Sequence, residues 1–435
     1  MASGTSPFPE SYDYPEAFFE TTVHEIVRPR PDVGQVRRAA EAIRGASKPL
    51  IIAGGGVHYS GAEAELQEFA EAHQVPVVET VAGKASMLAS HPLNSGPVGV
   101  TGCESANALA AEADVVIAVG TRLQDFTTGS WTAFDASAEF VGINAAGFDA
   151  IKHSSLPVVG DARECLSDLT PLLDGWAGPD EWADRAARAT EGYHAYIDKI
   201  AAPSDAGSPG SSELPTYAQV VGAIDRVAQP SDYALTAAGG FPGELNNGWR
   251  AKGLDSFDCE YGFSCMGYEI SGGWGAKMAM PDREVIVFVG DGSYLMMNSD
   301  LYSSVLAGHK MIVVVCDNGG FAVIHRLQTN QGGAGYNNLI ADTNNAGEVY
   351  VDFAAHARSM GCEAETVSTI AELDAAFERA RASDRTYVIA MRTSDHDWTE
   401  GGTFWEVGVP EVSNRQSVLD ARAELQQGKQ TQRLV

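Results

Sequence analysis

The chain reads as two successive trains of short apolar runs with amphipathic stretches between them. Asp32 stands directly before a series of apolar positions at Val33, Val36, Ala40 and Ile43, and Gly45 follows them. An acceptor side chain, a three-and-four spacing and a closing glycine predict a helix. PLIIA (49–53) is too short and too uniformly apolar for an amphipathic helix and reads as a buried strand, with three glycines turning out of it. Ser60 and Glu63 have the spacing of a capping box ahead of Leu66, Phe69 and Ala70. VPVVE, DVVIAVG and AEFVGIN are further apolar runs, again separated by helical stretches. Such alternation predicts a parallel sheet with helices on both faces.

A second train follows a Pro/Gly/Ser-rich stretch, AAPSDAGSPGSSELP. It comprises a YAQVVGAI helix, a DYALTA strand, a helix beginning near Ile270, an EVIVFVG strand, a helix through Ser304 and an MIVVVC strand. Two helices, VDFAAHARSM and AELDAAFERARA, and a TYVIAMR strand complete it. The expected class is α/β, with two doubly wound parallel-sheet domains. The divisions are an extended arm over 1–32, a central α/β domain over 33–175, a linker over 176–215, a second α/β domain over 216–395 and a tail over 396–435. The tail carries an aromatic patch and then a polar helix.

Charge and cysteines narrow the functional classes. The formal charge is −29, which argues against a nucleic-acid footprint of clustered Lys and Arg. An anionic ligand would need a metal or backbone amides to meet its charge. Six cysteines occur without a C-x-x-C pair, as expected of reduced, structural thiols in a cytoplasmic protein. No apolar run reaches the ~18 residues of a membrane span, and the start lacks the pattern of a signal peptide.

The candidate chemistry sits at two strand ends. Asp291 follows VIVFVG and Asn318 follows MIVVVC. In open α/β sheets, ligands lie at the carboxyl ends of strands. If the two strands are neighbours, a carboxylate, an amide oxygen and the carbonyl of Gly320 face one crevice. Hard cations such as Mg²⁺ take all-oxygen sets of this kind. Gly292 and Ser293 open the next helix, whose N-terminal amides suit a phosphate. Taken singly, GDG is an ordinary strand-to-helix turn. GDG followed after about twenty-six residues by an Asn and a glycine turn, each after a strand, is much more specific.

That pattern resembles the signature of the thiamine-diphosphate-dependent enzymes. The resemblance implies thiamine diphosphate and Mg²⁺ as cofactors, with Asp291, Asn318 and Gly320 on the metal. It implies Gly239, Gly240, Phe241, Gly292 and Ser293 at the diphosphate, with Gly290 and Phe321 also binding the cofactor. In YGFSCMGYEISGGWGAKMA it implies Met266 as the wedge beneath the bent cofactor and the Ser264 carbonyl as acceptor for the exocyclic amine. SYDYPEAFFE, GDGSYLMMNSDL, GFAVIHRLQ, GGAGYNNL and FWEVGVPEVS resemble, more narrowly, the trihydroxycyclohexanedione hydrolases of inositol catabolism. This likeness covers the chain from about Ser11 to about Leu425.

The resemblance implies cleavage of a C–C bond next to a carbonyl, with a small ketone, a cyclic 1,2-dione, as substrate. The alternatives it leaves are a 2-oxo acid decarboxylase or carboligase and a non-catalytic, cofactor-holding subunit. Two departures stand out. His325 occupies a position where the family usually has Asn, which makes it the substrate-side candidate, and FWEVGV replaces a more Trp-rich stretch. The family's first domain, with the glutamate that activates the cofactor, is not represented. The expectation is therefore a separate pyrimidine-binding subunit supplying that Glu, in a hetero-oligomer of two copies of each chain. The Tyr12–Phe19 arm, with Tyr14, Phe18 and Phe19, is its candidate docking element. Gly54–Gly56 fit a tight turn better than a phosphate or flavin cradle. Asp395, His396, Asp397 and Glu400 fit a solvated loop better than a metal site.

Overall fold

The computed structural model describes residues 13–344 and 349–433, and in it the two apolar trains form two parallel sheets. The first contains β1 (Pro49–Ala53), β2 (Val77–Glu79), β3 (Asn94–Pro97), β4 (Val115–Val119), β5 (Glu139–Asn144) and β6 (Leu156–Val159). Their spatial order is β3-β2-β1-β4-β5-β6. Side chains alternate between the faces of a strand. Ile51 and Ala53 accordingly pack with Val36 and Ile43 of the helix Val33–Arg44. Leu50 and Ile52 pack with Ala106, Leu109 and Trp182 on the other face. Covering both faces buries every residue of β1 and β4, which is why these strands read as continuous apolar runs.

The second sheet contains β7 (Tyr233–Thr236), β8 (Phe257–Cys259), β9 (Val285–Gly290), β10 (Ile312–Asp317), β11 (Glu363–Val367) and β12 (Tyr387–Arg392), in the order β11-β12-β10-β9-β7-β8. Ile286 and Phe288 of β9 join Ile312 and Val314 of β10 in one core cluster. Val285, Val287 and Val289 join Val313 and Val315 in the other. The fold class read from the sequence is therefore the one observed: α/β, with two doubly wound parallel sheets.

Local signals held unevenly. Asp32 caps its helix, its carboxylate accepting the N–H groups of Gly34 and Gln35, and Gly45 ends it. The capping box at Ser60 and Glu63 does not form. Residues Gly56–Ser60 are a short helix of their own, closed by Gly61 at φ 59°, so Ser60 belongs to the preceding turn. Its Oγ instead accepts the Ala162 N–H at 3.2 Å, and Glu63 pairs with His58 at 2.8 Å.

The expected linker over 176–215 is largely a helix, Asp180–Ile200. It buries Trp182, Ala186, Tyr193 and Ile197 against the first sheet, and Trp182 Nε1 donates to the Pro49 carbonyl at 2.7 Å. Residues 201–215 have neither helix nor strand.

Beyond β12 the tail crosses from the second sheet's layers to the first. Thr399 N donates to Glu244 at 2.9 Å, and Trp405 Nε1 donates to Asp125 at 2.8 Å. A helix, Gln416–Lys429, then buries Val418 and Leu425 against Val409. At the other end, Tyr14, Phe18 and Phe19 form an exposed aromatic cluster; Tyr12 lies outside the described residues. All six cysteines are unpaired. Among the described residues no helix is long and apolar enough to cross a membrane.

Candidate cofactor site

β9 and β10 are parallel neighbours in register, with Cys316 opposite Gly290. The residues just past their ends, Asp291 and Asn318, therefore emerge on the same edge of the sheet. β7 lies on the far side of β9, and its partner β8 continues outward. Chain order thus reverses between β7 and β9, the place where an open sheet leaves a crevice. A cavity of ≈ 160 Å³ occupies it.

All twelve residues singled out for cofactor and metal line this cavity: Gly239, Gly240, Phe241, Ser264, Met266, Gly290, Asp291, Gly292, Ser293, Asn318, Gly320 and Phe321. Tyr217, Ala238 and residues 322–324 complete the wall.

The metal-side residues are held by backbone. Asp291 Oδ1 accepts the Gly292 N–H at 2.9 Å, and Oδ2 accepts the Gly320 N–H at 2.7 Å. Gly320 sits at φ 140°, a backbone region open in practice only to glycine. A Cβ there would lie 2.4 Å from the Asn338 carbonyl oxygen. The loop is pinned from outside: Phe321 N donates to that same carbonyl and Ile340 N to the Gly319 carbonyl, each at 2.8 Å. At Gly292 a Cβ would meet the Phe321 ring at 2.5 Å, so a side chain there would require that ring to move.

The residues fit a divalent cation beside a diphosphate. The Asn318 Nδ2 donates to the Tyr217 hydroxyl at 2.9 Å, which leaves Oδ1 buried without a partner. Burial, and next the neighbouring Asp317 carboxylate, push the Asp291 carboxyl up to about 7. A cation would relieve both the orphaned oxygen and the crowded carboxylates. The wall contains no Lys or Arg, so the charge of a diphosphate would fall to the cation and to backbone N–H groups. The helices Phe241–Gly248 and Asp291–Met296 both point their N-terminal ends at the cavity.

One structural device was not legible. The buried Glu269 accepts the Gly267 N–H at 2.8 Å and the Ala238 N–H at 3.3 Å. It ties the loop carrying Ser264 and Met266 to the loop carrying Gly239 and Gly240. Burial raises its carboxyl above the usual range.

Other sequence candidates fall elsewhere. His325 directly follows Ile324 of the cavity wall but does not line it, with Nδ1 3.5 Å from Asp342 Oδ2 and its ring against Gly335. The helix Ala322–Asn330 turns Ile324, not His325, toward the opening. Gly54 and Gly56 are required by packing, because a Cβ on either would meet the Gly120 loop at 2.6 Å. His396 is exposed beside Asp395 and Asp397.

Comparison with known proteins decides the family. Residues 36–169 match the central domain of thiamine pyrophosphate enzymes, and residues 237–391 match their C-terminal TPP-binding domain. The chain belongs to the thiamine-diphosphate-dependent enzymes. The family's cofactor, thiamine diphosphate with a divalent metal, typically Mg²⁺, is the one its domains imply. Among its relatives, the 3D-(3,5/4)-trihydroxycyclohexane-1,2-dione hydrolase of Bacillus licheniformis is 38% identical over 432 residues. The hydrolase of the same name from Bacillus subtilis is 37% identical over 433 residues, and that of Clostridium botulinum 36% over 437. Each match takes in 95% of this chain and 68% of the relative. The thiamine-enzyme domains together with these relatives make this an enzyme of C–C bond cleavage.

The same comparison overturns one expectation. The relatives are single chains in which this chain's whole architecture occupies 68% of the length. What they have beyond the match is continuous with it, in one polypeptide. The separate pyrimidine-binding subunit, the two-plus-two hetero-oligomer and the docking role given to the Tyr12–Phe19 arm rested on that material being a second chain. They are withdrawn.

Proposed function

We propose that this thiamine-diphosphate enzyme acts on a cyclic 1,2-dione and opens the ring by hydrolytic cleavage of the C–C bond beside a carbonyl. The observation that carries the proposal is the convergence of the twelve cavity residues, in a chain more than a third identical to hydrolases named for such a substrate. When bound, the cofactor would supply a nucleophilic carbanion and, in its cationic ring, a sink for the electron pair of the breaking C–C bond.

The chain's own residues would do the placing. Asp291, Asn318 and the Gly320 carbonyl would hold the cation. Gly239, Gly240, Phe241, Gly290, Gly292, Ser293 and Phe321 would enclose the diphosphate, with close backbone approach at the glycines. Met266 and the Ser264 carbonyl would meet the ring end, and Glu269 would fix their distance from the diphosphate loop. Ile324, half exposed at the cavity mouth, would be the nearest side chain to an entering ketone. His325 would then act on substrate only indirectly, through the loop holding Asp342.

The test is a parallel incubation of the protein, loaded with thiamine diphosphate and Mg²⁺, with a cyclic 1,2-dione and with a 2-oxo acid. Products are read by NMR. A ring-opened acid from the dione supports the proposal. Carbon dioxide or an acyloin from the oxo acid would replace it with a decarboxylase or carboligase. Cofactor binding with no turnover of either would assign the chain a cofactor-holding role.

A further inference from the structure

We propose that Tyr217 is a positioning residue for metal capture: its hydroxyl holds the Asn318 amide by the nitrogen end and so aims the oxygen at the cation. The inference rests on the reading of the cavity as the metal and diphosphate site.

Tyr217 opens the helix Tyr217–Val227, directly after Thr216. A capping box between Thr216 and Gln219 sets that starting point. The ring is buried and packed on two sides. It stacks on Phe241 with centroids 4.4 Å apart and an interplanar angle of 16°, and Trp398 meets it edge-on at 5.7 Å. There is no slack around it. A Cβ on Gly240 would lie 2.8 Å from the Tyr217 ring and 2.4 Å from Trp398. The hydroxyl is thereby delivered to one place, 2.9 Å from Asn318 Nδ2.

The two ends of a primary amide are nearly the same size but opposite in polarity. A hard cation binds the oxygen and repels the NH₂ group. The carboxylate of Asp291 across the cavity has the opposite preference. Left alone, the Asn318 amide would be drawn to turn its NH₂ group inward whenever the cation is absent. The Tyr217 hydroxyl occupies the nitrogen end and leaves Oδ1 buried and free of partners. The amide is thus pre-set for a cation before one arrives. Metal ligands are commonly oriented by such outer partners, whose loss weakens metal binding by about 10–100-fold.

Tyr217→Phe removes the hydroxyl and keeps the ring stack. Mn²⁺ would be titrated by electron paramagnetic resonance at a fixed, saturating level of thiamine diphosphate, with thermal denaturation in parallel. The expected result is Mn²⁺ affinity weakened about 10–100-fold with an unchanged melting midpoint. Asn318→Asp supplies the control for mechanism. A carboxylate has two equivalent oxygens and nothing to orient, so Tyr217→Phe should add little in that background. Equal losses in both backgrounds would assign the effect to packing and overturn the proposal. So would unchanged Mn²⁺ affinity in Tyr217→Phe while Asn318→Ala loses it. If Asn318→Ala also binds Mn²⁺ normally, the site reading itself is what fails.

Discussion

The Gly320 N–H donates to Asp291 Oδ2 at 2.7 Å. This one bond joins the loops that leave β9 and β10, and it brings together the two halves of a motif 29 residues apart in sequence. Asp291 is thus both a ligand candidate and the strut that shapes the opposite loop. Asp291→Ala should abolish metal-dependent binding of thiamine diphosphate, since it removes a ligand and leaves two loop N–H groups without their acceptor. Calorimetry with and without Mg²⁺ reads this directly. The expected loss exceeds the ~10–100-fold typical of outer partners, and far-UV circular dichroism should be unchanged. Parent-like affinity would remove Asp291 from the site.

Gly320→Ala forces an L side chain into φ 140° and against the Asn338 carbonyl. A destabilisation of about 1–3 kcal/mol is expected from strain of this kind, measurable by urea denaturation. Gly275 makes a control, because a Cβ there meets nothing within 4 Å. Equal effects at the two positions would show that the turn is not constrained as described.

Glu269→Gln keeps shape but offers one carbonyl oxygen to the two N–H groups of Ala238 and Gly267. One buried donor is left unpaired, at a cost of about 1–3 kcal/mol. Because both loops line the cavity, cofactor affinity should fall together with stability. Lost stability with unchanged affinity would limit Glu269 to a purely structural part.

These three positions show what the sequence could and could not disclose. Asp291, Asn318 and the glycines were legible because each follows an apolar strand, and strand ends converge on one edge in a parallel sheet. Glu269 and Tyr217 were not. Their partners, Ala238 and Asn318, lie 31 and 101 residues away, and nothing local marks a buried acceptor or a buried phenol. The helix Asp180–Ile200 was legible but passed over. Its buried residues Trp182, Ala186, Thr190, Tyr193 and Ile197 recur every three or four positions, a pattern masked by the polar residues between them. Where the His325 side chain lies relative to the cavity was not legible, because a change of residue type shows nothing about which way a helix faces.

His58 supplies a pH test at the contact between the two sheets' layers. Burial alone would lower its pKa, but the hydrogen bond and charge of Glu63, with the charge of Asp255, raise it above the ordinary 6.5. Its Nδ1 lies 2.8 Å from Glu63 and 3.7 Å from Asp255, and Nε2 is 3.0 Å from the Lys84 carbonyl. A raised folded pKa means the folded state holds the proton more tightly. The stability it contributes is complete below pH 6.5 and is lost as pH rises through the folded value. His58→Gln should therefore differ most from the parent in melting temperature below pH 6.5 and converge on it as pH rises through the raised folded value. A difference that grows with pH would contradict the ion pair.

In the reading proposed above, the β7/β9 crevice holds a cation and the diphosphate of the cofactor. A crystal structure of the protein with thiamine diphosphate and Mn²⁺, phased to show anomalous signal, tests it most directly. One strong peak is expected, coordinated by Asp291, Asn318 Oδ1 and the Gly320 carbonyl, with the diphosphate over Gly239–Phe241 and Gly292. A peak elsewhere, or cofactor density outside this cavity, would contradict it.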